Sequence, residues 1–306
     1  MKFFEEGIYI SPTSRCNAGC RHCVAQDDQP ELSDVERSEI MDWIDQIAEI
    51  GIKSIRFVGG EPFLVLPDLQ VYVRRIKELG MESTVVTNAS WARTKVNAHK
   101  VLETLPDLNN LIISSDRFHL EYIDADTVKN AIEAGLEHKK NVIMNVTYIE
   151  KSDIEYMNSL FSAYTDRIFI QVVKTMPFDG PEAEKIVKHC YFQKPTRTPK
   201  FCWIGNYFIN TNGDVYACCQ ASQGLETNYL TLGNVNKGRL KNLVNKIHKE
   251  DVFQFIGNNG PRGIVEVFNE SPYRDELMGL EFASGCEICQ QLLNNPEKYD
   301  YFVKHI

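Results

Sequence analysis

No run of about 18 apolar residues occurs in these 306 residues, so a membrane-spanning helix is not expected. The opening Met1-Lys-Phe-Phe-Glu-Glu6 places carboxylates where a secretory signal needs its apolar stretch. Excess positive charge is missing as well. There are 33 Lys and Arg against 42 Asp and Glu, a formal net charge of -9, which excludes a nonspecific electrostatic grip on nucleic acid. Low-complexity stretches and internal repeats are absent, and a content of 43% hydrophobic residues is enough to bury a substantial core. These features predict a cytoplasmic protein with neither membrane nor nucleic acid as partner. Nine cysteines would suggest disulfides in a secreted chain, but the odd count and short spacings fit reduced thiolates that hold metal.

Three of them form the C-x3-C-x2-C triplet Cys16-Asn-Ala-Gly-Cys20-Arg-His-Cys23, just after the apolar segment Gly7 to Ile10. An iron-sulfur cube normally takes four thiolates, so three leave one iron open to a ligand that is not protein. The spacing also permits zinc, with His22 as a fourth ligand. The run Gly59-Gly60-Glu61-Pro62 follows one strand-helix-strand unit later, after Ile55-Arg-Phe-Val58. Its glycines allow a sharp turn and close approach to a ligand, and Pro62 fixes the exit.

The triplet and the Gly-Gly-Glu-Pro run together resemble the radical S-adenosylmethionine (SAM) superfamily. The resemblance implies a [4Fe-4S] cluster on Cys16, Cys20 and Cys23, with SAM chelating the open iron through its amino and carboxylate groups. Gly59, Gly60, Glu61 and Pro62 would bind the amino end of its methionine moiety, and His22 would pack near adenine.

Apolar runs alternate with amphipathic segments, which predicts parallel strands with helical crossovers. The strand candidates are Gly7 to Ser11, Ser54 to Val58, Ser83 to Thr87, Asn110 to Ser114, Asn141 to Tyr148 and Arg167 to Val173. Helices are expected at Ser33 to Ile50, with Ser33 and Glu36 as a capping box, and at about Leu69 to Leu79, Lys95 to Leu105, Ala125 to His138 and Ile154 to Tyr164. Six units agree with the partial (β/α)6 barrel of the resembled family over residues 1–185, followed by a small domain over 186–306. Strand ends at the C-terminal mouth should line the site. Ser114 and Asn145, and less strongly Asn88, are expected to contact SAM by resemblance, whereas Asp116 and His119 should face substrate. Polar strand ends are also capping positions, so Ser115 or Asp116 could instead cap a turn.

A second constellation comprises Cys202, Cys218-Cys219 and Cys286-Glu-Ile-Cys289, around a stretch whose Asn212-Gly213 is a strong hairpin signal. It resembles the short "twitch" version of the SPASM extension, with Cys202, Cys218, Cys286 and Cys289 holding one auxiliary [4Fe-4S] cluster. A zinc ribbon is the competing reading. A full SPASM domain would need further cysteines for a second auxiliary cluster. Cys190 is a spare candidate ligand.

Cys219 directly follows a proposed ligand, and in extended chain it points to the opposite face from Cys218. The layout resembles small radical SAM peptide epimerases, in which a cysteine returns a hydrogen atom from the face opposite abstraction. The expected partners are a peptide or small-molecule substrate, such as a sugar or aminocyclitol, and an external one-electron reductant such as flavodoxin or ferredoxin. The 15 residues before Cys16 leave no room for a leader-recognition domain, so a separate recognition protein is a further expected partner. The region Asn228 to Phe282, with a basic helix-like stretch from Lys237 to Lys249 and a loop at Gly257 to Gly263, could also bind substrate. The alternatives are oxidation, either to a ketone or to a peptide crosslink with the auxiliary cluster as electron acceptor, and a binding-only metal protein.

Overall fold

Six apolar strands, the first five each followed by a helix, build a parallel sheet. They are β1 (Ile8–Thr13), β2 (Ser54–Gly59), β3 (Glu82–Thr87), β4 (Asn110–Ser114), β5 (Asn141–Tyr148) and β6 (Phe169–Lys174). The crossovers are α1 (Arg37–Glu49), α2 (Leu66–Glu78), α3 (Lys95–Glu103), α4 (Ala125–Glu137) and α5 (Lys151–Leu160). The computed structural model describes residues 7–23, 33–174, 194–202, 204–218, 230–282 and 284–306. Each neighbouring pair from β1–β2 to β5–β6 is parallel, which makes the partial (β/α)6 barrel.

Side chains alternate across this sheet. Ile10, Phe57, Val85, Leu111 and Val142 lie in one register row and are buried in the core; Phe57 stacks on Tyr72 of α2 at 5.7 Å. The adjacent row, Tyr9, Arg56, Thr84, Asn110 and Asn141, therefore points to the inner face of the barrel.

A hairpin continues the same sheet on the far side of β1. β7 (Tyr207–Ile209) runs parallel to β1, and β8 (Asp214–Tyr216) and β9 (Thr231–Asn234) follow antiparallel, giving the order β6-β5-β4-β3-β2-β1-β7-β8-β9. The hairpin turns at Asn210–Gly213, where the Gly213 N–H donates to the Asn210 carbonyl (3.1 Å) and Gly213 has φ +84°. Helices α6 (Leu240–Val244), α7 (Asp251–Asn269), α8 (Arg274–Gly279), α9 (Gly285–Leu293) and α10 (Pro296–His305) complete the chain. No helix among the described residues is long and apolar enough to cross a membrane.

Three local expectations are corrected. The capping box at Ser33 and Glu36 does not form: α1 begins at Arg37, because Ser33 exchanges hydrogen bonds with Ser14 and Asp34 bridges to Thr13. The stretch Lys237 to Lys249 holds only the five-residue α6. The loop expected at Gly257 to Gly263 lies within α7, which breaks at Gly260 (φ 60°, ψ -168°) so that Pro261, lacking an N–H, starts a new helical segment.

Candidate active site

The cysteine triplet leaves the end of β1 and is sewn to the Gly-Gly-Glu-Pro turn at the end of β2. Gly60 N–H donates to the Thr13 carbonyl (2.9 Å) and Glu61 N–H to the Arg15 carbonyl (2.8 Å). Only glycines fit this seam. Gly59 has φ +108° and a Cβ there would meet Ser11 Oγ at 2.0 Å; one at Gly60 would meet the Arg15 carbonyl oxygen at 2.0 Å. Pro62 begins the helical turn Pro62–Val65 that Glu61 caps. Asn88, at the end of β3, holds the triplet from the other side, donating to Asn17 Oδ1 (2.9 Å) and lying 3.8 Å from Cys16 Sγ.

Glu61 is 1% exposed. Its carboxylate accepts from Phe63 N–H (3.1 Å), Thr87 Oγ1 (2.7 Å) and Asn88 N–H (2.7 Å). Burial pushes this carboxyl up to about 7 against those donors. A fixed, buried carboxylate with three donors is suited to receive an ammonium group from a ligand.

Beyond β4 the chain turns at Ser115–His119. Asp116 is fully buried and caps this turn: Oδ1 accepts from Phe118 and His119 N–H (3.0 and 3.1 Å), and Oδ2 from Thr147 N–H (3.3 Å). His119 Nδ1 lies 2.8 Å from Asp116 Oδ2, off the axis of a good hydrogen bond, and His22 Nε2 lies at 3.7 Å. Burial alone would raise Asp116 and lower His119, but their mutual attraction holds Asp116 down at about 2 and lifts His119 to about 10. Burial lowers His22 to about 4. The ligand atoms of His22, Asp116 and His119 fall within 4.8 Å of one another, with the Asp116 carboxylate held in place by backbone N–H donors. Asp116 thus sits behind His119 and does not itself face the cavity.

A cavity of about 300 Å³ opens between these parts, lined among others by Cys16, Cys20, Cys23, Gly60, Ser114 and His119. Ser114 and Asn145 are register partners on β4 and β5. The Nδ1 of His22, which lines the cavity, is buried without a hydrogen-bond partner, as is Asn145 Oδ1 on the strand beside Ser114. Three thiols, an ammonium-ready carboxylate and orphaned polar atoms fit a cluster with SAM beside it. The inward row of Tyr9, Arg56, Thr84, Asn110 and Asn141 was missed in the sequence reading. The signal for the row was a polar residue at alternate positions of apolar strands, as Arg56 in Ile55-Arg-Phe-Val58. Asn110 donates to Thr84 Oγ1 (3.1 Å), Asn141 to Asn110 Oδ1 (3.0 Å), and Arg56 to Tyr9 Oη (2.6 Å).

In the C-terminal region, burial and the neighbouring Cys202, Cys286 and Cys218 together raise the Cys289 thiol well above its ordinary value, so the four sulfurs share one site. Among the described residues no three cysteine sulfurs lie within 4.8 Å of one another, whereas tetrahedral zinc would draw them to about 3.8 Å. Cys218 follows β8, whose Tyr216 pairs with Phe208 and, through it, with Tyr9 of β1. The chain direction then carries Cys218 past the N-terminal end of β1, opposite the end that bears Cys16. Cys219 and Cys190 lie outside the described residues.

A family model described as Radical SAM superfamily matches residues 10–161. The chain belongs to this superfamily. A second model, an iron-sulfur cluster-binding domain of SPASM type, matches residues 201–291. The cofactors of this radical SAM protein are accordingly SAM, a SAM-binding [4Fe-4S] cluster and an auxiliary one. It is 23% identical over 315 residues to YydG of Bacillus subtilis (strain 168), a protein named for peptide biosynthesis, with 99% of this chain and 97% of YydG covered. The structure of native anSMEcpe with bound AdoMet and Cp18Cys peptide superposes with TM-score 0.58 at 15% identity, covering 98% of this chain and 96% of that one. BtrN in complex with AdoMet and 2-DOIA gives 0.54 at 14% identity, covering 85% and 90%. At such identities the likeness is one of fold.

Proposed function

We propose that this radical SAM enzyme inverts a carbon centre in a peptide, with Cys219 returning the hydrogen atom. The observation that carries the reading is the placement of the cysteine triplet and of Cys218 at opposite ends of β1, with the inner face of the barrel between them. When bound at Cys16, Cys20 and Cys23, the cluster and SAM supply a 5'-deoxyadenosyl radical, and the cluster at Cys202, Cys218, Cys286 and Cys289 supplies an electron reservoir.

This chain's residues do the positioning. Glu61 holds the ammonium of SAM, Ser114 and Asn145 its polar groups, and the seam at Gly59 and Gly60 keeps the triplet against them. The inward row from Tyr9 to Asn141 offers donors and acceptors to a peptide backbone, and Arg56, which pairs with no carboxylate among the described residues, offers a cation. Hydrogen is removed at the β1 C-terminal end. The Cys219 thiol, one residue beyond Cys218, gives its hydrogen atom to the carbon from the other side, and the resulting thiyl is restored by one electron from the external reductant and one proton from solvent. The likeness to YydG, a protein named for peptide biosynthesis and covered over nearly its whole length, supports a peptide substrate.

The test is anaerobic turnover in deuterated water with dithionite and SAM, on a peptide encoded beside the gene, with Cys219→Ala alongside. A product one mass unit heavier, lost in the variant while 5'-deoxyadenosine still forms, is expected. A product two units lighter in both proteins would replace inversion by oxidation.

A further inference from the structure

The inward row of the barrel continues past β1 onto the hairpin, where Phe208 is the register partner of Tyr9 and Tyr216 that of Phe208. Arg56 therefore stands at a junction. On one side lie the rings of Tyr9, Phe208 and Tyr216, the last two 6.2 Å apart; on the other lie Thr84, Asn110 and Asn141, joined side chain to side chain. The guanidinium sits 5.2 Å from the Tyr9 ring centroid and donates from Nη1 to Tyr9 Oη (2.6 Å). A guanidinium carries five N–H donors in a planar fork, and this hydroxyl engages one of them. The other arginines among the described residues meet a carboxylate, as Arg117 meets Asp153, or backbone carbonyls, as Arg262 does, or stand exposed, as Arg74, Arg93 and Arg197 do. Arg56 is half-buried with a neutral partner, between Ile55 and Phe57, which are fully buried on the opposite face. Such a cation gives up hydration with no counter-charge in return. Val58, the next inward residue on β2, lines the cavity beside the cysteine triplet, so Arg56 lies one inward position below it.

We propose that Arg56 anchors a carboxylate of the substrate, so that the peptide is one that brings an acidic side chain or its own C-terminal carboxylate to the N-terminal end of the barrel, with apolar bulk beside it against Tyr9, Phe208 and Tyr216. The edge formed by Nε and Nη2 gives two parallel N–H donors to the two carboxylate oxygens. Tyr9 holds the fork in line, through its hydroxyl and through its ring. Lysine in this place would bring the charge without the planar fit. An anchor one inward position below the cavity fixes which residue of the peptide lies in the cavity itself, so Arg56 selects the carbon that reacts and takes no part in the chemistry. This inference deepens the peptide reading above and rests on it, and it is independent of whether the substrate radical gains a hydrogen atom or loses an electron.

The experiment is equilibrium binding without reductant, so that nothing turns over: fluorescence anisotropy of an N-terminally labelled peptide encoded beside the gene, titrated with reconstituted holoenzyme and SAM. Each Asp and Glu of the peptide is changed in turn to its amide, and the C-terminus is amidated in a separate peptide, which distinguishes a side-chain carboxylate from the terminal one. A single one of these changes should weaken binding, by roughly tenfold to a hundredfold. Arg56→Gln should weaken the parent peptide by a similar factor and be indifferent to that same change, because both remove one contact. Arg56→Lys should recover part of the loss. Losses that multiply when enzyme and peptide are changed together, or a wild-type affinity that survives every carboxylate change, would overturn the proposal. The second result is read on wild-type enzyme, so it holds even if Arg56→Gln does not retain its clusters. Absence of binding by the parent peptide would remove the peptide reading and the anchor with it, whereas a peptide that binds and is indifferent to all its carboxylates removes the anchor alone.

Discussion

Glu61 is buried among three donors, and its titration has a sign that can be measured. Its folded value of about 7 lies above the ordinary 4.5, so the folded chain holds the proton more tightly than the unfolded one. That contribution to stability is complete below about pH 4.5 and is lost as pH rises through 7, about 3 kcal/mol in all. In SAM-free protein the stability of wild type relative to Glu61→Gln should therefore fall between pH 5 and pH 8 in denaturant titrations. A difference that is flat with pH would mean that the carboxylate is already ionised and stabilised by its donors alone. Glu61 and the cysteines were legible because few residue types can do their chemistry and their spacing is local. The reach of Asp116 to the Thr147 N–H was not, since it joins residues 31 positions apart on neighbouring strand ends. Ser33 shows the converse: its capping pattern was local and correct in type, but Ser14 competed for the same groups and won.

At the scale of elements, strands whose apolar face is continuous were read to the residue, as at Asn110–Ser114 and Asn141–Tyr148. The segment Gly257 to Gly263 misled because Gly, Asn and Pro discourage helix in isolation, whereas burial of Ile256, Ile264, Val265 and Phe268 holds both halves of α7 in the core. The break between them has a further duty. A Cβ on Gly260 would lie 2.7 Å from the Lys200 carbonyl carbon, two residues before Cys202, and the positive φ adds strain. Gly260→Ala should cost about 1–3 kcal/mol. Because the pressure falls on the segment leading to Cys202, iron analysis should drop from about eight per chain toward about four, with the SAM-responsive EPR signal retained. Loss of that signal instead would place the damage in the barrel.

The molecule as a whole is organised by one sheet that crosses the sequence boundary expected near residue 185. Barrel helix α1 is tied to the C-terminal region by Trp43 Nε1 to Asn236 Oδ1 (2.8 Å), by Leu240 N–H to Gln46 Oε1 (2.8 Å) and by the Arg239–Glu49 ion pair. Gln46 is 4% exposed, so Gln46→Ala strands a buried N–H at a cost of about 1–3 kcal/mol. Thermal loss of far-UV circular dichroism and of cluster absorbance should coincide in wild type and move down together in the variant; two separated transitions would show that the regions unfold independently. None of these ties was legible beforehand, because each joins residues nearly 200 positions apart.

The parallel pairing of β1 with β7 makes the sheet a ruler. Ile8 to Thr13 spans roughly 17 Å of extended chain, and on the proposed reading that length separates the place where a hydrogen atom is taken from the place where one is given back. Two residues added to each strand would leave every side chain on its own face and lengthen the ruler by roughly 7 Å. A carbon within reach of one end would then be out of reach of the other, so the handedness of the product is gauged by a count of strand residues.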